Sequence, residues 1–554
     1  MDSDCSTLPA STSDGSRTKI AVAIPEQPTT IPIPLADSTL TLEPALQSLP
    51  SFIQPPRTPM SLGDVAYLQT KGALTLPSPE LQNSLVASFF KYIHPYMPIL
   101  DIDRFLQSAS SRLGVEGQVS LLLYQTILFA GATHVNVTEL QKAGFGTPRQ
   151  ARKEFFCKCK LLYDFDWESD RLVLVQALLF MSLWYEAPEE HRNTWHWIDV
   201  AVSQAYALGL HHDPLHTVSA LFPGEHGLRR RIWWSCFMRD RLVSFALKRR
   251  PKIGNSDFTV AMLKMTDFGP FDYSMGDGDT LKALCPYATC WETRKALAQL
   301  CVAQATLCHC LSYGLQPQVT MFEKTMDEEA AETFLSGVEE AQALSSCREA
   351  LLDWYVALPS GCRYRPFAVT DGRGDRGCVV DLNRSVLPLV FYATMVGLYR
   401  AWLASLKRTR QSTLLEQEMT KLSMQDMATQ IFELAGDLQK HGFERFLPPT
   451  GIAILTSAAT VHLSEMRDPA CTDRTKAYDI YAAADMARDA MERAFLDYPD
   501  QGRRFKHSAG PATTVVRSEA AFDASPLDEL SGISIEGLGT CVDYLNVSEE
   551  DTCG

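Results

Sequence analysis

Between residues 79 and 495 apolar side chains recur at helical spacing, and strand-like alternation is scarce. That pattern restricts the chain to an all-α, multihelical bundle-like architecture. Ser78-Pro79-Glu80 reads as a helix start, with Leu81, Leu85, Phe89 and Tyr92/Ile93 on one face. Thr147-Pro148 opens another, carrying Phe155, Phe156, Leu161 and Leu162. Ser169 precedes the run Leu172–Tyr185, which is broken only by Gln176 and Ser182. Apolar on all sides, this run predicts a central, buried helix. Asn193 caps a helix with Ile198, Ala201/Val202, Ala205 and Leu208 at helical spacing, closed by Gly209 and Asp213-Pro214. Gly227-Leu228 is expected to open a helix over 228–247. Further helices are expected over 290–312, 327–356, 384–406, 414–440, 449–466 and the Ala-rich 475–495.

The ends differ from this middle. Residues 1–60 hold ten of the 31 prolines, with many Ser and Thr, and read as a disordered leader. Residues 501–554 read as a disordered acidic tail, leaving a helical domain over 61–500. The formal charge of −15 is unevenly spread: residues 519–554 carry −9 with no base, the leader −3, and the rest only −3. A free-standing nucleic-acid binder is usually basic, because phosphate contacts supply most non-specific affinity, and this body is almost neutral. Met1 to Gly15 has neither a basic n-region nor an apolar h-region, so no signal peptide is expected. The run 172–185 falls short of the roughly 20 residues that span a bilayer, so no membrane partner is expected either. Fifteen cysteines without a C-x-x-C pair read as reduced core thiols of an intracellular protein.

Catalytic and metal signatures are absent or weak. Gly372-Arg-Gly374-Asp-Arg-Gly377 fits a dinucleotide pattern, but reads as a polar loop between helices, without the preceding strand that pattern needs. Cys308-His309-Cys310 places its thiols on different sides of a helix, so they read as core cysteines, as do Cys157 and Cys159. His211, His212 and His216 read as residues favoured at a helix C-terminus, with metal binding as the alternative. No cofactor or catalytic constellation is expected, and the chain is not read as an enzyme. The run Lys248, Arg249, Arg250, Lys252 is a candidate nuclear-import signal; the bland alternative is a solvated helix end.

The most informative block is Leu228–Gly254, LRRRIWWSCFMRDRLVSFALKRRPKIG. Asp240 and Arg241 sit in an apolar helix, where burying them unpaired is expensive. Asp240 is expected to reach Ser244, one turn on. The block resembles the fungal-specific transcription factor domain, the middle homology region of fungal zinc-cluster regulators. Members show a basic-flanked Trp pair, Asp-Arg, a Ser, then Gly-Arg-Pro and an aliphatic residue. Here these are Arg230/Arg231, Trp233-Trp234, Asp240-Arg241, Ser244, Arg250-Pro251 and Ile253, with Arg249 in place of the glycine. Where that glycine position demands positive φ, an Arg is strained. Three further blocks agree: Asp64–Leu74 with Phe89-Phe90, His94-Pro95, Pro98–Asp101 and Phe105; Trp195–Pro214 with Leu208-Gly209-Leu210-His211; and Leu387–Leu403 with Tyr392, Leu398, Tyr399 and Arg400. The resemblance covers about 65–500 and is similar in flavour to the cutinase-regulator subgroup.

The resemblance implies a nuclear transcription regulator whose helical domain is a regulatory platform, of the kind that controls metabolic or secondary-metabolite gene clusters. Family members carry an N-terminal cluster of six cysteines that binds zinc and DNA. Residues 1–150 here contain Cys5 alone, so the expected link to DNA is indirect, through a DNA-binding partner protein. The tail interleaves acids with Phe522, Leu527, Leu530, Ile533, Ile535 and Leu538, the composition of activation segments that fold onto a coactivator or the transcription machinery. Two alternatives stay open: a truncated form of a zinc-cluster DNA-binding factor, and an all-α small-molecule binder or enzyme. A small-molecule effector is compatible with the regulator.

Overall fold

The structure, a computed structural model, describes residues 49–185, 192–213, 223–269, 283, 285–326, 337–367, 374–408 and 413–467. Leader residues 1–48, the expected helix over 475–495 and the acidic tail lie outside them, as does His216. Among the described residues the protein is all-α: fifteen α-helices, with one pair of two-residue strands. The strands β1 (Ile53–Gln54) and β2 (Val119–Ser120) pair in parallel, Ile53 against Val119. Residues 49–60, expected in the disordered leader, therefore belong to the described fold. Phe52 is fully buried, edge-on to the Tyr124 ring at 5.3 Å.

The first apolar core is built by α1 (Leu62–Thr70), α2 (Pro79–Tyr92), α3 (Ile102–Ser111), α4 (Leu121–Gly131), α5 (Val137–Lys142), α6 (Pro148–Asp164), α7 (Arg171–Met181) and α8 (Thr194–Ala207). Their starts follow local chemistry. The hydroxyls of Ser78 and Thr147 accept from the N–H groups of Leu81 and Gln150, with proline at the first helical position in each case. Asn193 caps α8 as expected. Such caps contribute about 1 kcal/mol each. The cap of α7 is Asp170, one of whose oxygens accepts from both Leu172 and Val173. Helix α4 has no counterpart in the periodicity reading. All eleven of its residues are buried, so it shows no polar face to give a period.

The second core is built by α11 (Trp291–Met326), α12 (Gly337–Ala357), α13 (Gly374–Arg408), α14 (Leu414–Lys440) and α15 (Thr450–Arg467), after the short α10 (Pro286–Thr289). The capping box Thr413/Glu416 starts α14 at the residue its sequence predicts. Helix α13 begins at Gly374, so the latter part of the glycine pattern 372–377 is helical rather than loop. One window of α13 is long and apolar enough to cross a membrane, at a mean hydropathy of 1.4. That window is 72% buried, packed by α11, α12, α14 and α15.

Helix α9 (Pro223–Leu247) joins the two cores: Val243 belongs to the first and Phe245 to the second. It starts before Gly227, which lies inside the helix and does not open it. A Cβ at Gly227 would stand 2.6 Å from the carbonyl oxygen of Asp267, so glycine is needed for close packing with the 3₁₀ turn Met265–Phe268.

Candidate functional site

The block 228–254 forms most of α9 and the turn after it, and its charged residues each hold a different segment. Arg230 pairs with Asp267 at 2.6 Å and faces Asp213 at 3.6 Å. Arg231 Nη1 donates to the carbonyls of Pro98 (2.6 Å) and Leu100 (3.0 Å). Arg239, which the sequence reading passed over, donates to Ser182 O at 2.7 Å and to the Tyr185 hydroxyl. A third charge between Met238 and Asp240, inside an apolar helix, was the available signal. The Trp pair completes the arrangement. Trp234 Nε1 donates to Ala261 O at 2.9 Å, while Trp233 packs on Tyr206, His211 and Phe258.

Asp240 and Arg241 form the deepest part of the site, at 0% and 1% exposure. Their side chains meet at 2.6 Å. The carboxylate also accepts from the backbone N–H groups of Lys252 (2.9 Å) and Ile253 (3.1 Å). Arg241 donates further to Ile253 O, Asn255 Oδ1 and, from α11, Ser312 Oγ. The pair thus ties the 252–255 turn to α9 and α9 to α11. Ser244, the partner expected for Asp240, is buried, and its hydroxyl has no hydrogen-bond partner among the described residues. Burial raises the Asp240 carboxyl above the usual carboxylate range despite Arg241 and the two N–H donors, and burial lowers Arg241.

Helix α9 ends in a left-handed residue, but at Lys248 (φ 55°) and not at Arg249. The Arg249 N–H closes on Ser244 O at 3.1 Å. Helix α8 ends in the same way with Gly209 (φ 68°), where Leu210 N–H meets Ala205 O at 3.0 Å. Both are Schellman closures, and glycine is the usual residue at the left-handed position. The basic run beside it is largely engaged. Lys248 lies over the Phe245 ring at 4.5 Å, and burial pushes its amine down to about 8. Lys252 pairs with Asp199 at 2.8 Å and lies over Trp195, which Arg249 also faces. Arg250 is exposed and Pro251 half-buried.

The other candidates separate clearly. Cys308 and Cys310 are buried, with His309 against the Trp234 and Phe237 rings. Cys159 is buried, but Cys157 is exposed, on the opposite side of α6. Among the described residues no group of three His, Cys, Asp or Glu can hold a metal ion. Among the described residues, clefts of ligand-sized volume include the following two. One, about 740 Å³, lies among α12, α13 and α14 beside Tyr355, Pro388, Tyr392 and Asp437. The other, about 480 Å³, is walled by Arg231, His94 and the apolar side chains of Leu100, Ile102 and Phe268.

Residues 86–349 match the fungal specific transcription factor domain. Cutinase transcription factor 1 beta of Fusarium vanettenii is 36% identical over 518 residues, covering 88% of this chain and 57% of that protein. A transcription factor of Fusarium pseudograminearum is 31% identical, covering 76% of this chain and 47% of that protein. The fusaric acid cluster transcription factor FUB12 of Gibberella moniliformis is 30% identical, covering 33% and 26%. The chain carries the fungal specific transcription factor domain, and its relatives are fungal transcription factors. It spans about half the length of the first two relatives. No solved structure matches.

Proposed function

We propose that this chain is a nuclear regulator of transcription rather than an enzyme, and that its helical body is a regulatory platform. The observation that carries the reading is the domain match over 86–349, whose signature residues form the buried clamp of α9. In this reading the body reaches DNA through a DNA-binding partner protein. The interleaved acids and apolar residues around Phe522, Leu527, Leu530, Ile533, Ile535 and Leu538 recruit a coactivator. The run Lys248–Lys252 contributes to nuclear import through its exposed Arg250. The resemblance to a regulator of the fusaric acid cluster supports control of a metabolic or secondary-metabolite gene cluster. Chromatin immunoprecipitation, together with a reporter driven by a tethered 519–554 segment, tests this. Promoter enrichment and reporter activation are expected; absence of both refutes the reading.

A second reading is favoured by the span of the match, since this chain covers only 57% and 47% of the first two relatives. In it a zinc-cluster DNA-binding module precedes Met1 in the native polypeptide. Mapping the transcript 5′ end separates the two. An upstream in-frame segment with six cysteines supports the second reading, and a transcript starting just before Met1 refutes it.

A further inference from the structure

The 480 Å³ cleft lies where the 94–103 loop, the first turns of α9 and the first turns of α11 meet. Its volume is within the range that holds a small organic ligand. Its charges are unequally satisfied. Three carboxylates line it, and each has a direct partner. Asp101 accepts from Arg104 N, Asp103 takes both Nη donors of Arg294, and Asp267 accepts from Arg230 and Lys264 N.

Arg231 is different. It is 8% exposed, yet no carboxylate lies within ion-pair distance among the described residues. Both its hydrogen bonds leave from Nη1, to Pro98 and Leu100, and Nε is buried without an acceptor. Nη2 makes no hydrogen bond among the described residues, and Arg231 lines the cleft. On the same wall His94, 7% exposed, has a buried Nε2 without a partner. Burial, with the Arg231 charge beside it, pushes this imidazole down to about 3, so it is neutral. Asp101 and Asp267 act on the Arg231 charge only from beyond ion-pair distance. A buried cation without a direct ion-pair partner is costly, and a carboxylate on a guanidinium edge is a strong, directional way to supply one. Besides Arg294, Thr266 and Tyr287 the remaining lining is mostly apolar, with Phe268 under the guanidinium at 5.7 Å. The three nearby carboxylates disfavour a dianion such as phosphate.

We infer that this cleft binds a small monocarboxylic acid with an apolar body, its carboxylate on Arg231 and its chain against Leu100, Ile102 and Phe268. The inference deepens the regulatory reading by giving the helical body a ligand. It is read by direct binding, so its failure and a failed promoter or reporter assay are separate results.

The test is calorimetric titration and thermal shift of the full chain with hexanoate and 3-phenylpropanoate, each against its uncharged amide at fixed ionic strength. At the efficiency of small ligands, hexanoate is expected to bind with Kd on the order of 1 mM. The amides are expected to give no response at the same concentrations. Arg231→Lys keeps the charge but removes the guanidinium edge, and should weaken binding at least about tenfold. Ile102→Trp fills the cleft from a half-buried position without touching Arg231, and should abolish binding while the far-ultraviolet circular dichroism stays unchanged. It carries the test if Arg231→Lys does not fold. Equal binding of acid and amide, undiminished binding in Ile102→Trp, or no response to either acid up to roughly 20 mM overturns the proposal.

Discussion

Removing the Asp240 carboxylate tests the clamp most directly. In Asp240→Ala the Arg241 cation stays almost fully buried without its counter-charge, and the N–H groups of Lys252 and Ile253 lose their acceptor. Breaking a buried pair from one side costs about 3–5 kcal/mol, and each orphaned buried donor about 1–3 kcal/mol. These effects overlap, so the expected loss is about 5 kcal/mol, comparable with the lower end of a domain's whole stability of about 5–15 kcal/mol. Asp240→Asn keeps the shape and one good acceptor but not the charge, and should lose about 3 kcal/mol. Arg241→Met strands the carboxylate and should cost a similar amount. The double variant Asp240→Asn/Arg241→Met removes both charges, so it should fall short of the summed losses by about 2 kcal/mol. Urea unfolding followed by circular dichroism gives all four free energies. Asp240→Asn within about 1 kcal/mol of the parent, or a coupling below about 0.5 kcal/mol, would refute the claim that this pair holds the turn to α9.

The remaining predictions concern single positions. Gly227→Ala drives a methyl against the Asp267 backbone and should cost about 1–3 kcal/mol; an unchanged urea midpoint would show that the 3₁₀ turn yields freely. Lys248→Gly relieves the left-handed backbone and releases a half-buried charge, while losing the Phe245 contact. A net gain of up to about 1 kcal/mol is expected, and a loss above about 1 kcal/mol contradicts the strain argument. His94 and His134 are both held at about 3 by burial, against about 6.5 in an unfolded chain. The folded state therefore stays unprotonated while the unfolded state binds protons below pH 6.5. The stability contributed by the neutral histidines is full above 6.5 and falls as pH drops toward 3, by about 1 kcal/mol per pH unit per histidine. Unfolding titrations from pH 7 to 5 should show that slope, reduced in His134→Phe; a flat profile refutes it.

Local chemistry made much of the helical scaffold readable. Ser78-Pro79, Thr147-Pro148, Asn193 and Thr413 fall where the helices start, because a cap satisfies backbone donors within three residues of itself. The period of apolar residues gave the buried face of the longer helices with a contrasting polar face; it gave nothing for α4, where no polar face exists, and the short α1, α3 and α5 were not read from it. The block 228–254 was legible as unusual because charges in an apolar helix demand partners. Which partners was not legible. Asp240 turns to N–H groups twelve and thirteen residues on, not to Ser244, because the chain reverses at Lys248 and brings the turn back over the helix. Gly227 reads as a helix opener in sequence; its reason is a backbone oxygen forty residues away. The cleft at Arg231 joins segments more than a hundred residues apart, through bonds such as Arg231 to Pro98 and Arg294 to Asp103 that no local pattern signals. The sequence alone determined most of the long helices, several of their caps and the need to satisfy buried charge. Only the tertiary structure decided how that charge is satisfied, because burial and ion pairing depend on distances between segments that no local pattern encodes.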